Sequence, residues 1–250
     1  MPSARPQHKL YPIEPNAIEL MFGGLAASYA LMTPTKDLNV YDHTTKYLMM
    51  SSLVMFMYYA ILVAVDIYCF KVPEGRTRGK SIGYRATRVL SMTFGTLVGA
   101  VVLAGIYVLF GAPLQTQQNE TLAAALDVSL LAITPAVVTL KSDLSAWRRA
   151  LLSFEEKSLP EQWAAGFFWS SMVTSWAAAY FVPMDWDRPW QRWPIPIVGG
   201  AYVGYLIGLL YVLVRCFVLP IARADFKATE EEKLKIIREM AARDQQKKKE

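Results

Sequence analysis

The residue types that could do chemistry are concentrated in one short stretch, VPMDWDRPWQRWP at residues 182–194, which we call the tryptophan loop. Asp185 and Asp187 stand two residues apart, a spacing at which carboxylates can act as acid and base or hold a cation. Arg188 and Arg192 can pair with them or meet a phosphate-bearing group. Because no nucleophile or further ligand is evident, we favour a rigid element that contacts lipid or a partner protein over a catalytic one.

Prolines and tryptophans set the shape of the tryptophan loop. Three prolines forbid a continuous helix, so the chain turns sharply between the apolar segments on either side. Three tryptophans suit a membrane interface, with the ring in the apolar zone and the indole N–H toward water. The residues that we expect to contact lipid or a partner are Asp185, Trp186, Asp187, Arg188, Pro189, Trp190, Trp193 and Pro194.

The composition indicates what surrounds this loop. Of the 250 residues 54% are hydrophobic, which is typical of a polytopic membrane protein. A membrane-spanning helix needs about 20 mostly apolar residues. Runs of this kind occupy residues 17–32, 49–70, 89–110, 122–140, 163–181 and 195–219. The sequence therefore predicts an all-α membrane domain of about six transmembrane helices at residues 1–222, followed by a charged cytosolic helical tail at residues 223–250.

The distribution of Lys and Arg predicts the orientation. The connection at residues 71–88 holds six of them and the tail beyond residue 221 holds nine, whereas residues 111–121 hold none. Basic connections stay in the cytosol. Both termini are thus expected in the cytosol, and the tryptophan loop on the lumenal side.

Small residues and polar residues within the runs predict how the helices pack. Glycines recur every fourth residue, which lets helix backbones approach closely, and the neighbour can be in this chain or in another protein. Four hydroxyl residues of the fifth run form a stripe for which we predict interhelical hydrogen bonds. The packing glycines are Gly95, Gly99, Gly200, Gly204 and Gly208, and the stripe is Ser170, Ser171, Thr174 and Ser175.

Three acids, Glu19, Asp66 and Asp127, lie within the apolar runs. None is central, and we expect each to reach an interface or a polar neighbour. Asp66 stands out because it is flanked by the longest apolar run.

The sequence gives little support for metal binding, cofactor binding, catalysis or nucleic-acid binding. The two histidines are far apart, so we predict no metal site, no cofactor and no catalytic residue. The net charge of +5 follows the membrane orientation and the basic tail, which argues against a nucleic-acid partner. The chain ends KKKE, and Lys247 with Lys248 resembles the dilysine retrieval signal of endoplasmic reticulum membrane proteins.

The segment PMDWDRPWQRWP, followed by GGAYVGYLIG, resembles the signature of the PIG-F family of glycosylphosphatidylinositol (GPI) anchor biosynthesis proteins. YVLFGAPL at residues 107–114 and DLSAWRRALL at residues 143–152 extend the similarity over roughly the last 150 residues, and we identify the chain as a fungal-type member. The family implies a multi-pass endoplasmic reticulum membrane subunit without catalysis of its own. Its implied partner is a large catalytic GPI ethanolamine phosphate transferase, which it stabilises during transfer of phosphoethanolamine to GPI mannose.

On this resemblance, the tryptophan loop would lie beside the partner's site and contact membrane lipid, such as GPI or phosphatidylethanolamine. An alternative from another class stays open. The chain itself would then catalyse phosphoethanolamine transfer, or bind and present the phospholipid donor.

Overall fold

A computed structural model describes residues 22, 41–69, 82–113, 115–141, 143–154 and 158–215. Within these ranges the chain is helical and has no β-strand, so the all-α prediction is confirmed there. The helices are α1 (Thr44–Cys69), α2 (Ile82–Leu109), α3 (Gln118–Ala132), α4 (Thr134–Leu140), α5 (Leu144–Arg148), α6 (Leu159–Ala179) and α7 (Ile195–Leu213). A π-helical turn (Arg149–Ser153) follows α5, and a 3₁₀ turn (Pro189–Gln191) lies in the tryptophan loop.

Four stretches of the described residues are long and apolar enough to cross a membrane: Thr44–Val65, Ala86–Leu109, Gln118–Leu140 and Ile195–Leu213. They correspond to the second, third, fourth and sixth predicted runs. The fifth run forms α6, a 21-residue helix that is not among the four, because its hydroxyl, glutamine and tryptophan side chains lower its hydropathy. The first run lies outside the described residues except for residue 22. Six spans and the orientation of the termini remain predictions.

The third of these stretches is two helices joined end to end. Ile133 separates α3 from α4, and Pro135 lies in the first turn of α4, where a missing N–H is tolerated. The Thr134 hydroxyl donates to the Ser129 carbonyl oxygen at 3.1 Å and shares a 2.8 Å hydrogen bond with the Thr96 hydroxyl of α2. The Ser129 carbonyl oxygen also accepts from the Ile133 backbone nitrogen at 2.9 Å, so these contacts tie the break to α2 and to the end of α3.

The predicted packing glycines lie against helices of the same chain. A β-carbon at Gly204 would collide with the Ser170 carbonyl oxygen and Ser171 Cα of α6, and Gly200 and Gly208 face the same helix. On α2, Gly95 faces Val137 of α4, and Gly99 faces Ser129 and Ile133 at the end of α3. On α7 the backbones of the two helices approach too closely for a side chain, whereas on α2 a β-carbon would collide with side chains of α3 and α4 and of Ile133 between them.

The connection between α4 and α6 is held by specific polar contacts. Asp143 caps α5, and its carboxylate accepts hydrogen bonds from the backbone nitrogens of Ser145 at 3.0 Å and Ala146 at 3.1 Å. The Ser145 hydroxyl also donates to this carboxylate, and these bonds hold the pKa of Asp143 below its ordinary value. The Arg149 guanidinium pairs with the Glu161 carboxylate of α6 at 2.6 Å, which joins the connection to the following helix.

The chain divides into two units, Met1–Leu210 and Tyr211–Glu250. Only residues 211–215 of the second unit are described; there, the Arg215 guanidinium lies 5.8 Å from the centre of the Tyr211 ring, a cation–π distance. The predicted tail helix at residues 223–250, including Lys247 and Lys248, lies outside the described residues.

Candidate functional site

The tryptophan loop is held in shape by one buried amide side chain. Gln191 is only 7% exposed. Its Nε2 donates to the carbonyl oxygens of Phe181 and Met184, both at 3.0 Å, and its Oε1 accepts from the Arg188 backbone nitrogen at 3.0 Å. A side chain that both donates and accepts can close the turn from inside, which a carboxylate or a guanidinium cannot do alone. Gln191 was not predicted, because it stands among charged and aromatic residues that dominate the sequence pattern.

Three aromatic rings form a cluster on the loop. Phe181 lies 5.7 Å from Trp190 and 6.2 Å from Trp186 between ring centres, and the two tryptophans lie 6.0 Å apart. Trp186 is 52% exposed. The cluster therefore presents Trp186 outward, with Trp190 less exposed beside it, as expected for tryptophans at a membrane interface.

Trp193 fixes the loop to two helices. Its Nε1 donates to the Thr121 hydroxyl oxygen of α3 at 3.0 Å, and its ring meets Tyr107 of α2 edge to face at 5.8 Å between centres. The Trp193–Pro194 peptide bond is cis. These contacts bring together two sequence segments noted above, the tryptophan loop and YVLFGAPL.

The sequence allowed the arginines of the loop to pair with its aspartates, but Arg192 pairs elsewhere. Arg192 lies 3.7 Å from the Glu120 carboxylate of α3 and 3.5 Å from the Tyr41 carbonyl oxygen, rather than pairing with Asp185 or Asp187. The carboxylates of Asp185 and Asp187 are exposed, as is Arg188. The loop thus holds one arginine against the bundle and presents two acids and one arginine outward.

A second polar centre lies inside the helix bundle. Asp127 of α3 is completely buried, and its Oδ1 accepts from the hydroxyls of Ser51 at 3.0 Å, Ser52 at 3.1 Å and Tyr202 at 3.4 Å. We call these four residues the Asp127 cluster. Its second oxygen, Oδ2, has no partner among the described residues. One carboxyl group therefore joins α1, α3 and α7.

From the sequence, Asp66 stood out among the three acids, and its side chain is not described. The acid that forms a polar centre in the described residues is Asp127. Asp127 does find polar neighbours, but it lies near the middle of the 23-residue stretch Gln118–Leu140, where no acid was expected. Periodicity alone could not show that Ser51, Ser52 and Tyr202 face it. The adjacent serines in an otherwise apolar helix were the available signal.

The hydroxyl stripe of α6 makes fewer interhelical bonds than predicted. Ser171 and Ser175 are buried, and the Ser175 hydroxyl donates to the Ile197 carbonyl oxygen of α7 at 3.0 Å. The hydroxyls of Ser170 and Thr174 instead donate to carbonyl oxygens of their own helix. Their small size still matters, since Gly204 packs directly on this face.

Among the described residues, no three His, Cys, Asp or Glu side chains come together as a metal site would require. The best-defined polar groups, Gln191 and the Asp127 cluster, hold the structure together. The exposed side chains of the tryptophan loop, Asp185, Asp187 and Arg188, are available to bind a partner or a ligand.

The family model of the GPI biosynthesis protein family Pig-F matches residues 26–213. The chain belongs to the PIG-F family. The match covers both the tryptophan loop and the Asp127 cluster, so the geometry described above lies within the family's region. Residues 223–250 lie beyond it.

Curated relatives agree with this membership. A "GPI ethanolamine phosphate transferase, stabilizing subunit" of Mus musculus is 33% identical over 153 residues, which is 60% of this chain and 70% of the relative. A protein of the same name from Homo sapiens is 32% identical over 151 residues, covering 60% of this chain and 69% of the relative. "Glycosylphosphatidylinositol anchor biosynthesis protein 11" of Yarrowia lipolytica is 34% identical over 143 residues, or 57% of this chain.

The similarity to the fungal relatives spans part of their length. It covers 62% of the Yarrowia lipolytica protein and 41% of the relative of the same name from Pyricularia oryzae. No solved structure matches this PIG-F chain.

Proposed function

We propose that the chain is a non-catalytic membrane subunit of GPI ethanolamine phosphate transferases in the endoplasmic reticulum. In this role it stabilises the catalytic subunit and supports the addition of phosphoethanolamine to GPI mannose. The observation that carries the proposal is the likeness to mammalian proteins named as the stabilizing subunit of this transferase, which extends over 70% of the mouse relative.

The geometry of the tryptophan loop supports a binding role. Gln191 and Trp193 use their polar atoms within the chain, while Asp185, Asp187 and Arg188 face outward from a loop that is already ordered. A loop held in one conformation loses little entropy when it binds, which favours recognition. We propose that this surface lies on the lumenal side and contacts the catalytic subunit or a lipid headgroup.

The first test of this proposal is the stability of the partner. Removing the chain from cells should lower the amount of the large transferase, and a tagged chain should co-purify with it from detergent-solubilised membranes. A chain that is stable and monodisperse alone, together with an unchanged transferase level in its absence, would contradict the subunit role.

The tryptophan loop can be tested separately in the same cells. Trp190→Ala removes a ring from the aromatic cluster and Arg188→Ala removes an outward charge, so both should lower surface GPI-anchored protein. Arg78→Ala, in the basic connection, serves as the control. Equal effects of all three substitutions would remove the reason for assigning partner or lipid contact to the loop.

The alternative function has its own decisive measurement. If the chain itself transfers phosphoethanolamine, the purified chain should transfer the headgroup in the absence of the large subunit. Loss of all transfer upon removal of that subunit would favour the accessory role.

A further inference from the structure

The Asp127 cluster contains a carboxyl group without a protein counter-charge inside the bundle. Asp127 is completely buried, and it lies about 14 Å along α3 from Gln118, near the middle of the membrane-crossing stretch Gln118–Leu140. None of the ion pairs between described residues includes Asp127. A charge at this depth is costly unless it is paired, so an acid here indicates a partner or a function.

The hydrogen bonds of the cluster leave one side of this carboxyl group open. All three hydroxyls lie at Oδ1, at 3.0 Å for Ser51, 3.1 Å for Ser52 and 3.4 Å for Tyr202. Oδ2 is buried and has no hydrogen-bond partner among the described residues. A buried polar atom of this kind indicates a bound water or ion. Oδ2 is therefore the point at which a ligand is expected.

The Ser51 hydroxyl indicates that this ligand is positively charged. The single proton of Ser51 has two acceptors in reach, the Leu48 carbonyl oxygen at 2.9 Å and Asp127 Oδ1 at 3.0 Å. A hydroxyl can donate only one hydrogen bond. When Ser51 donates to Leu48, its oxygen faces the carboxyl group with a lone pair instead of a proton. Two oxygens that face each other in this way need a positive charge beside them, which is either a proton or a metal ion.

The position of Oδ2 favours a metal ion over a proton. A proton on Oδ1 would leave Oδ2 as a buried acceptor without a donor. A proton on Oδ2 would itself have no acceptor among the described residues. An ion beside the carboxylate can contact both of its oxygens and the hydroxyl oxygens at the same time. It therefore satisfies the atom that a proton leaves unsatisfied.

The composition of the cluster selects the kind of ion. Its polar side-chain atoms are all oxygens, the ligands that hard cations prefer, so it differs from a His or Cys centre. Neighbouring ligands of an octahedral ion held at about 2.4 Å lie about 3.4 Å apart. The hydroxyl oxygens lie between 3.0 and 3.4 Å from Oδ1, which suits an ion of the size of Ca²⁺ or Na⁺. One carboxylate balances one positive charge, which favours Na⁺ in a dry interior.

We propose that the Asp127 cluster binds one Na⁺ ion, with the carboxylate and the hydroxyls of Ser51, Ser52 and Tyr202 as its ligands. The ion connects α1, α3 and α7, so the stability of the bundle depends on it. The site goes beyond the subunit role and uses other residues than the tryptophan loop. Either proposal can therefore fail while the other holds.

The test measures the unfolding temperature of the purified full chain in detergent, with NaCl replaced by choline chloride at constant ionic strength. An ion that binds only the folded state stabilises it by mass action, so an increase in Na⁺ of about 100-fold should raise the unfolding temperature by at least about 4 °C. Asp127→Asn keeps an acceptor for the hydroxyls but removes the charge, and its unfolding temperature should not respond to Na⁺. Ser129→Ala is the matched control. It removes another buried hydroxyl of α3, which donates to the Thr96 carbonyl oxygen at 2.8 Å, and should keep the full response.

A second variant guards against misfolding of Asp127→Asn. Ser52→Ala removes one ligand and should raise the Na⁺ concentration for half-maximal stabilisation about tenfold. No response to Na⁺ in the natural chain, or an equal response in the natural chain and in either of these two variants, would overturn the proposal. Infrared spectroscopy supplies an independent measurement. A band of a protonated carboxylic acid that is absent from Asp127→Asn and unchanged by saturating Na⁺ would also overturn it, by assigning a proton to the site.

Discussion

The indole nitrogen of Trp193 lies 3.0 Å from the hydroxyl oxygen of Thr121 and donates a hydrogen bond to it. Thr121 in turn donates to the Gln117 carbonyl oxygen at 3.0 Å. This contact and the Arg192–Glu120 pair join the tryptophan loop to the first turn of α3 through side chains.

Replacing Trp193 by Phe tests this contact. The ring can still pack against Tyr107, but the hydrogen bond is lost, and we expect a loss of about 1 kcal/mol in unfolding free energy. Thermal unfolding of the purified chain in detergent measures the effect. Trp186→Phe is the control, because Trp186 is largely exposed; a similar loss there would show that ring size rather than the hydrogen bond matters.

Two substitutions of Asp127 separate the contribution of its charge to stability from that of its hydrogen bonds. Asp127→Asn keeps an acceptor oxygen for Ser51 and Ser52 and should be tolerated. Asp127→Leu leaves the buried hydroxyls without this acceptor and should cost about 1–3 kcal/mol for each group that stays unsatisfied. Expression and unfolding temperature measure both variants. If Asn were as damaging as Leu, the cluster would need the carboxyl group itself.

Glycine packing can be tested with a single methyl group. At Gly204 an alanine would collide with the backbone of α6, and overpacking of this kind costs about 1–3 kcal/mol. At Gly199 a β-carbon meets nothing within 4 Å, so Gly199→Ala should be neutral or stabilise the helix by up to about 1 kcal/mol. The unfolding temperature should fall for Gly204→Ala and should stay the same or rise for Gly199→Ala. A stable Gly204→Ala variant would mean that α6 and α7 do not approach as closely as described.

The cap of α5 predicts a dependence on pH. Since hydrogen bonds hold the pKa of Asp143 below its ordinary value, the ionised form is favoured by folding. The cap's stabilisation is present above the ordinary carboxyl pKa of about 4 and is lost as the pH falls through the lowered value. Unfolding temperature measured from neutral to acid pH should fall less for Asp143→Asn than for the natural chain. Parallel curves for the two proteins would exclude this contribution.

The sequence predicted those features that follow from local rules. Prolines at 183, 189 and 194 require a break between two apolar runs, and the structure has the tryptophan loop between α6 and α7 there. Four of the predicted runs are also stretches able to cross a membrane. Glycines spaced by four predict close packing, although spacing cannot show which helix is the neighbour.

What the sequence did not reveal depends on contacts between distant residues. Ser51 and Asp127 are 76 residues apart, and whether their side chains meet is decided by how α1 rotates against α3. The same holds for Gln191, whose partners are two backbone carbonyl oxygens and one backbone N–H, which carry no sequence signal. Ser170 and Thr174 illustrate the reverse case, because their hydroxyls donate to carbonyl oxygens of their own helix and need no partner on another one.

The glycines of α2 have one more consequence. The notches of Gly95 and Gly99 are already filled by α3 and α4, whereas Gly105 is exposed and a β-carbon there meets nothing within 4 Å. The outward surface of α2 therefore carries the bulky side chains of Leu90, Phe94 and Val101 with a gap at Gly105, four residues after Val101. A foreign helix that came to rest on this surface would find its point of closest approach at that gap.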